Sequence, residues 1–205
     1  MIKNVVFDFG QVMVHFVPAH MVAQSVTDKE DAALLEEVVF DRLYWDRLDA
    51  GTISDEEALS AMCARLPERL HGVARELHYD WIWRIPEIDG MRKLVQDIKR
   101  DFGVRTFLLS NISTYFAENE AKIPCLVEFE KRIYSAVCGY VKPSAEMYGY
   151  LCRECEIDPK ETIFIDDSEK NIRGAVAFGI HGYLFDGDAS RLRTYLYEIL
   201  KDGRS

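Results

Sequence analysis

Four short polar clusters in this 205-residue chain carry side chains suited to phosphoryl transfer. Asp8 closes the run VVFD, Ser110 and Asn111 close FLLSN, Lys142 lies within YVKPS, and Asp166 and Asp167 close IFIDD. An aspartate can act as a carboxylate nucleophile and form a covalent intermediate. A hydroxyl and an amide can hold phosphoryl oxygens, and a lysine can offset the charge being transferred. Mg²⁺ takes oxygen ligands and binds through one or two carboxylates plus substrate phosphate, which suits Asp8 with the Asp166–Asp167 pair. Each piece also has a plainer use. An aspartate at a strand end, or Ser110 and Asn111 ahead of a helix, serves equally as an N-cap or turn residue. A lysine before proline is commonly a solvated loop residue. Paired acids after a hydrophobic strand are different, because they concentrate a repulsion that a cation relieves.

These clusters act together only if the fold gathers them. KNVVFDF reads as a buried strand that delivers a side chain to its carboxyl end, and RTFLLSN (105–111), TIFIDD (162–167) and GYLFDGD (182–188) repeat that form. Amphipathic helical patterns occupy 88–103, 144–157, 168–180 and 188–203. The alternation across 88–205 predicts an α/β, Rossmann-like parallel sheet with helices on both faces. Ligands in such sheets bind beyond the carboxyl ends of the strands, where the clusters fall. Residues 15–87 break the rhythm, with helical spacing through AHMVAQSV, EDAALLEEVVFDRLYW, SDEEALSAMCARL and RELHYDWIWRI. The expected organisation is a core of 1–14 and 88–205 with a helical-bundle cap, 15–87, inserted after the first strand. Its hinges fall near 14–18 and 85–89, marked by Pro18 and Pro86. Thr27 with Glu30, and Ser54 with Glu57, fit the capping-box pattern.

Composition narrows the partners. A formal net charge of −10 without clustered Lys and Arg argues against a nucleic-acid backbone. An acidic protein that handles an anion needs local positive charge or a metal. With 48% apolar and 29% charged residues, no segment approaches the roughly 18 uninterrupted apolar residues of a membrane span. The N-terminus shows no small-residue cleavage site after an apolar run, so a cytoplasmic location is expected. Five cysteines, an odd number, point to reduced thiols. Cys152 and Cys155 form a CxxC, either a redox pair, half a zinc site completed from Cys63, Cys125 or Cys138, or two thiols one helical turn apart. Monomer and homodimer both stay open.

In order and spacing these motifs resemble the haloacid dehalogenase superfamily. VVFDFGQV is similar to its first motif, LLSN to its second, GYVKPSAEMY to its third and FIDDSEKNIRGA to its fourth, and the helical insertion resembles its cap. The resemblance implies that Asp8 attacks phosphorus and that Ser110 and Lys142 hold the phosphoryl group, with Asn111 beside them. It implies an Mg²⁺ site from Asp8, the Gly10 carbonyl, Asp166 and Asp167, with Asn171 orienting the acidic loop. The substrate would be a small phosphorylated metabolite. Gly10 is the departure, since the family's typical phosphatases carry there an aspartate that protonates the leaving oxygen and then activates water. Such a group is worth about 10²–10⁴-fold, so its loss weighs on poor leaving groups and favours sugar-1-phosphates and acyl phosphates. The DxGxV form is similar to a sugar-1-phosphate phosphatase branch.

His15 is a candidate substrate contact and replacement acid, Tyr44, Trp45, Trp81 and Trp83 are candidates for a sugar-stacking wall, and Arg47 is a further contact. Each could equally be a hinge or core side chain. Two alternatives remain. The family's dehalogenating branch also attacks with aspartate but uses no metal, and a binding or regulatory protein would keep the fold without turnover.

Overall fold

The strands form where β-branched and aromatic residues can pack on both faces of a pleated sheet. In the computed structural model, which describes residues 1–202, these are β1 (Asn4–Phe7), β2 (Arg105–Ser110), β3 (Lys131–Tyr134), β4 (Thr162–Asp166) and β5 (His181–Leu184). All pair in parallel, in the order β3-β2-β1-β4-β5. The period of two divides β1, β2 and β4 between two apolar clusters. Val5, Phe7, Leu108, Ile163 and Ile165 join one, and Val6, Phe107, Leu109 and Phe164 join the other.

β1 is central, and Phe7 is level with Leu108 on one side and Ile165 on the other. The next residues, Asp8, Leu109–Ser110 and Asp166, therefore emerge side by side at one end of the sheet. The chain moves from β1 outward through β2 and β3, then returns to the opposite side of β1 for β4 and β5. A crevice opens where the strand order reverses. β3 escapes the sequence reading. Its run, KRIY, sits at a sheet edge with Lys131 exposed, and charge at an edge blunts pairing with other chains.

Only helices lie between β1 and the segment leading to β2: α1 (Pro18–Ala23), α2 (Lys29–Val39), α3 (Arg42–Asp49), α4 (Asp55–Cys63), α5 (His71–Asp80) and α6 (Met91–Phe102). The helical spacing over 30–45 covers two helices, because Asp41 interrupts it and caps α3 by accepting from the Leu43 N–H at 2.9 Å. The N-cap of α2 is Asp28 and not Thr27, with its carboxylate accepting from the N–H groups of Glu30 and Asp31 at 3.0 Å each. The Ser54–Glu57 box forms in both directions, at 3.0 and 3.2 Å. The two chain crossings run side by side, with His15 N–H donating to Pro86 O at 2.8 Å and Ile88 N–H donating to Met13 O at 2.9 Å.

The remaining helices are α7 (Thr114–Asn119), α8 (Ser135–Cys138), α9 (Ala145–Cys155), α10 (Glu169–Phe178) and α11 (Ala189–Asp202). Gly203, the last position of the helix expected over 188–203, lies outside the described residues. α10 packs so closely on the loop before α9 that a Cβ on Gly174 would come within 2.7 Å of Pro143 O. Alanine gains about 1 kcal/mol over glycine in a helix interior, whereas overpacking costs about 1–3 kcal/mol. Here the obstruction is backbone, so the second effect should win. Gly174→Ala is expected to lower the melting temperature, and an unchanged or raised value would show that the Pro143 loop yields freely.

Candidate active site

The site is assembled at the carboxyl ends of β1, β2 and β4. The Asp8 N–H donates to Ile165 O at 2.9 Å, which ties its backbone to β4, and the Phe9 N–H donates to Asp8 Oδ1 at 2.7 Å, which orients the carboxylate. Lys142 is buried, and its Nζ lies 2.8 Å from Asp8 Oδ1 and 2.8 Å from Asp166 Oδ2. Burial alone would push this ammonium down, but the two carboxylates overcome that and hold it above the ordinary lysine value. Burial pushes Asp8 up to about 7, against the pull of Lys142 and with added push from Asp166. Asp167 is raised by burial first and by Asp166 second.

Side-chain amides hold this charge cluster in register. Lys142 N–H donates to Asn111 Oδ1 at 2.8 Å while Asn111 Nδ2 donates to Lys142 O at 3.1 Å, which clasps the lysine loop to the end of β2. Asp166 is fully buried. It accepts from Ser168 N–H at 2.7 Å, from Asn171 Nδ2 at 3.1 Å to both oxygens, and from Lys142. Tyr148 Oη in turn donates to Asn171 O at 2.6 Å.

A carboxylate oxygen from each of Asp8, Asp166 and Asp167 lies within 4.8 Å of the others, the only group among the described residues with the donors and spacing that could hold a metal ion. Three carboxylates against one ammonium leave unbalanced negative charge, and an all-oxygen donor set fits a hard divalent cation. Asn171 Oδ1 adds a buried acceptor with no hydrogen-bond partner in the same wall. Above these groups lies a cavity of about 230 Å³, lined from the sheet side by Asp8, Gly10, Ser110 and Lys142 and from the helical insertion by Phe16, Arg42, Trp45, Asp49 and Trp81.

The model of haloacid dehalogenase-like hydrolases matches residues 2–179. The chain belongs to that family. It is 26% identical over 185 residues to a D-ribitol-5-phosphate phosphatase of Bacteroides thetaiotaomicron, a match covering 84% of this chain and 86% of that one. Its fold is shared with a HAD-like hydrolase of Porphyromonas gingivalis (TM-score 0.71, 21% identity, 97% and 98% of the two chains). It is shared also with a HAD family enzyme of B. thetaiotaomicron solved in complex with magnesium and inorganic phosphate (TM-score 0.70, 21% identity, 94% and 99%).

In this haloacid dehalogenase-like hydrolase the sequence candidates separate by position. Asp8, Ser110, Asn111, Lys142 and Asp167 line the cavity, and Asp166 stands directly behind them. The Asn111 amide is engaged with the Lys142 backbone through both Oδ1 and Nδ2, which positions the lysine loop beside the cavity that Asn111 itself lines. His15 is not brought to the site. Val14 and Phe16 on either side of it line the cavity, and the alternation of extended backbone turns His15 outward to solvent. Trp45 and Trp81 form part of the wall, 5.5 Å apart between ring centroids. Tyr44 turns away, its hydroxyl 3.4 Å from Ala61 O, and Trp83 lies exposed with Lys122 over its ring at 4.4 Å. Arg47 is exposed outside the wall, whereas Arg42 and Asp49 lie within it. The spacing of Arg42, Trp45 and Asp49, at i, i+3 and i+7 on one helix face, was the available signal. Burial raises the thiols of Cys152 and Cys155, to about 11 and about 12, and no metal-binding group of the described residues includes them.

At Gly10 a Cβ would meet no atom within 4 Å and the backbone is not left-handed, unlike that of Gln11, with φ of 57°. Glycine here is a chemical feature and not a conformational requirement. For the charge cluster, removing one partner of a buried ion pair costs about 3–5 kcal/mol, because the other charge is left desolvated and unpaired. Lys142→Met is expected to lower the unfolding free energy by that amount in urea melts. A change under about 1 kcal/mol would mean that water reaches Asp8 and Asp166 freely.

Proposed function

We propose that this protein is a magnesium-dependent phosphatase of small phosphorylated metabolites, sugar phosphates in particular, acting through an aspartyl-phosphate on Asp8. The observation that carries this reading is the buried Asp8–Lys142–Asp166 cluster with Asp167 beside it, at the point where the strand order reverses. In this reading residues 15–87 form the cap over the site, and the cavity volume suits a metabolite and not a polymer.

Mg²⁺ would be held by Asp8, Asp167 and the Gly10 carbonyl, with Asp166 fixed behind them, and it would supply positive charge that draws in the phosphate and stabilises its developing oxygens. The chain's own groups perform the rest. An Asp8 carboxylate oxygen attacks phosphorus as the bond to the leaving oxygen breaks. Lys142, kept charged by its two carboxylates, offsets charge on the transferring group, and the Ser110 hydroxyl donates to a phosphoryl oxygen. Water then cleaves the acyl phosphate and frees Asp8. The names of the relatives support the same substrate class: a ribitol-phosphate phosphatase, and an Arabidopsis thaliana flavin mononucleotide hydrolase 28% identical over 100 residues, 48% of this chain and 40% of that one.

Gly10 itself offers no proton to the leaving oxygen, and sugar-1-phosphates and acyl phosphates are the esters whose leaving oxygens need one least. A panel of sugar and sugar-alcohol phosphates should release phosphate with Mg²⁺. Release should fall to background on addition of EDTA and in Asp8→Asn. Turnover that survives Asp8→Asn, or metal-independent halide release from 2-haloacids, would overturn the proposal.

A further inference from the structure

We infer that Asp49, on α3, is the general acid–base of the phosphatase reaction proposed above, supplying from the helical insertion the group that Gly10 lacks. The inference rests on that reading of Asp8. When an unactivated phosphate monoester is cleaved, the leaving oxygen needs a proton, and a positioned carboxyl can give it.

The ionisable side chains in the cavity wall are Asp8, Arg42, Asp49, Lys142, Asp167 and Lys170. Asp8 is the nucleophile, Asp167 belongs to the acidic group suited to a metal, and Arg42 is a guanidinium, a fork of donors with no acceptor. Lys142 is held charged between two carboxylates, and Lys170 is an exposed residue on the first turn of α10. Asp49 is what remains, and its surroundings suit the task. It is 7% exposed, and among the described residues no donor hydrogen-bonds its carboxyl. Its nearest cation is Arg42 Nη2 at 3.7 Å, and that guanidinium also pairs with Asp46. Burial pushes Asp49 up to about 7, with Arg42 and Lys142 pulling down and Asp46 pushing up. A carboxyl with such a value can exchange a proton near neutral pH.

Its position is fixed against the sheet. Ser135 Oγ donates to Asp49 O at 2.5 Å and accepts from Ile112 N–H at 2.8 Å, so one buried hydroxyl ties the end of α3 to the strand end that carries Ser110. Gly51 completes the joint. Its φ is +66°, and a Cβ there would lie 2.8 Å from Ala136 O.

The proton balance closes. As Asp8 bonds to phosphorus, the electron pair of the breaking P–O bond passes to the leaving oxygen, which takes the Asp49 proton and departs as an alcohol. Water then attacks the aspartyl-phosphate and gives its proton to Asp49 while the acyl–phosphate bond breaks, restoring both carboxyl groups and releasing phosphate.

The test compares kcat/KM for phenyl phosphate and 2,4-dinitrophenyl phosphate with Mg²⁺, since this parameter reports only steps up to departure of the leaving group. Asp49→Asn should lose about 10²–10⁴-fold on phenyl phosphate and little on the dinitrophenyl ester, which needs no proton. Adding Gly10→Asp to Asp49→Asn should restore part of the phenyl phosphate activity, because a side chain at 10 has open space. Equal losses on both esters, or no loss on either, would overturn the role. Asp8→Asn, run beside them, tests the underlying reading, since retained turnover there would defeat the nucleophile and not Asp49. Stability gives a control for burial. A carboxyl raised from 3.8 to about 7 by folding weakens the fold as pH rises through that window, so Asp49→Asn should gain melting temperature relative to wild type between pH 4 and 7. A difference flat with pH would place the carboxyl in solvent and overturn the inference.

Discussion

One buried ammonium organises this protein. Lys142 carries its charge into a place that water does not reach, and such a charge is tolerated only when partners surround it. Asp8 and Asp166, each at 2.8 Å, are those partners, and they come from neighbouring strands separated in sequence by more than half the chain. The same contact that neutralises the lysine keeps β1, β4 and the loop before α9 in one register. The supporting features follow from it. Asn111 clasps the lysine backbone, Asn171 and Ser168 saturate Asp166, and Gly174 lets α10 approach Pro143 closely enough to close the loop over the cluster. The cluster still keeps more carboxylates than cations, which makes it receptive to a further positive charge.

The parallel sheet explains why the cluster lies where it does. Strands buried on both faces expose chemistry only at their ends, and the reversal of strand order beside β1 leaves a gap there between neighbouring connections. The helical insertion covers that gap. Its apolar side chains, Leu35, Trp45, Leu77 and Trp81 among them, join the same cluster as Val5, Phe7 and Ile165. The cavity is thus bounded by charge below and by aromatic rings above, an arrangement that offers ring faces to the rest of a ligand. Arg42 and Asp49 are the polar groups on the upper side.

The parts that could be read from sequence share a physical property. β1, β2 and β4 are short continuous apolar runs ending in polar residues, a pattern that local burial on both faces imposes. Their chemistry was legible because Asp8, Ser110, Lys142, Asp166 and Asp167 stand at those ends or in the loop between them. β3 was missed because Lys131 and Arg132 occupy half of its four residues, leaving only Ile133 and Tyr134 buried, too short an apolar run to stand out. The helix expected across 30–45 hid a break at Asp41, because the apolar spacing continues on both sides of it while the capping carboxylate does not disturb the period.

The sequence by itself therefore determined the α/β class, the strand ends that hold the charged residues, and the helical character of the insertion, since these follow from local periodicity. Only the tertiary structure decided the rest. It turned His15 to solvent and Phe16 inward, sent Tyr44 away while keeping Trp45, put Asp166 behind the wall and Asp167 in it, and brought Arg42 and Asp49 into the wall of the cavity that Asp8 lines. The reason is that the face a helix or extended segment presents to a site depends on what it packs against, and those partners lie far away in the chain.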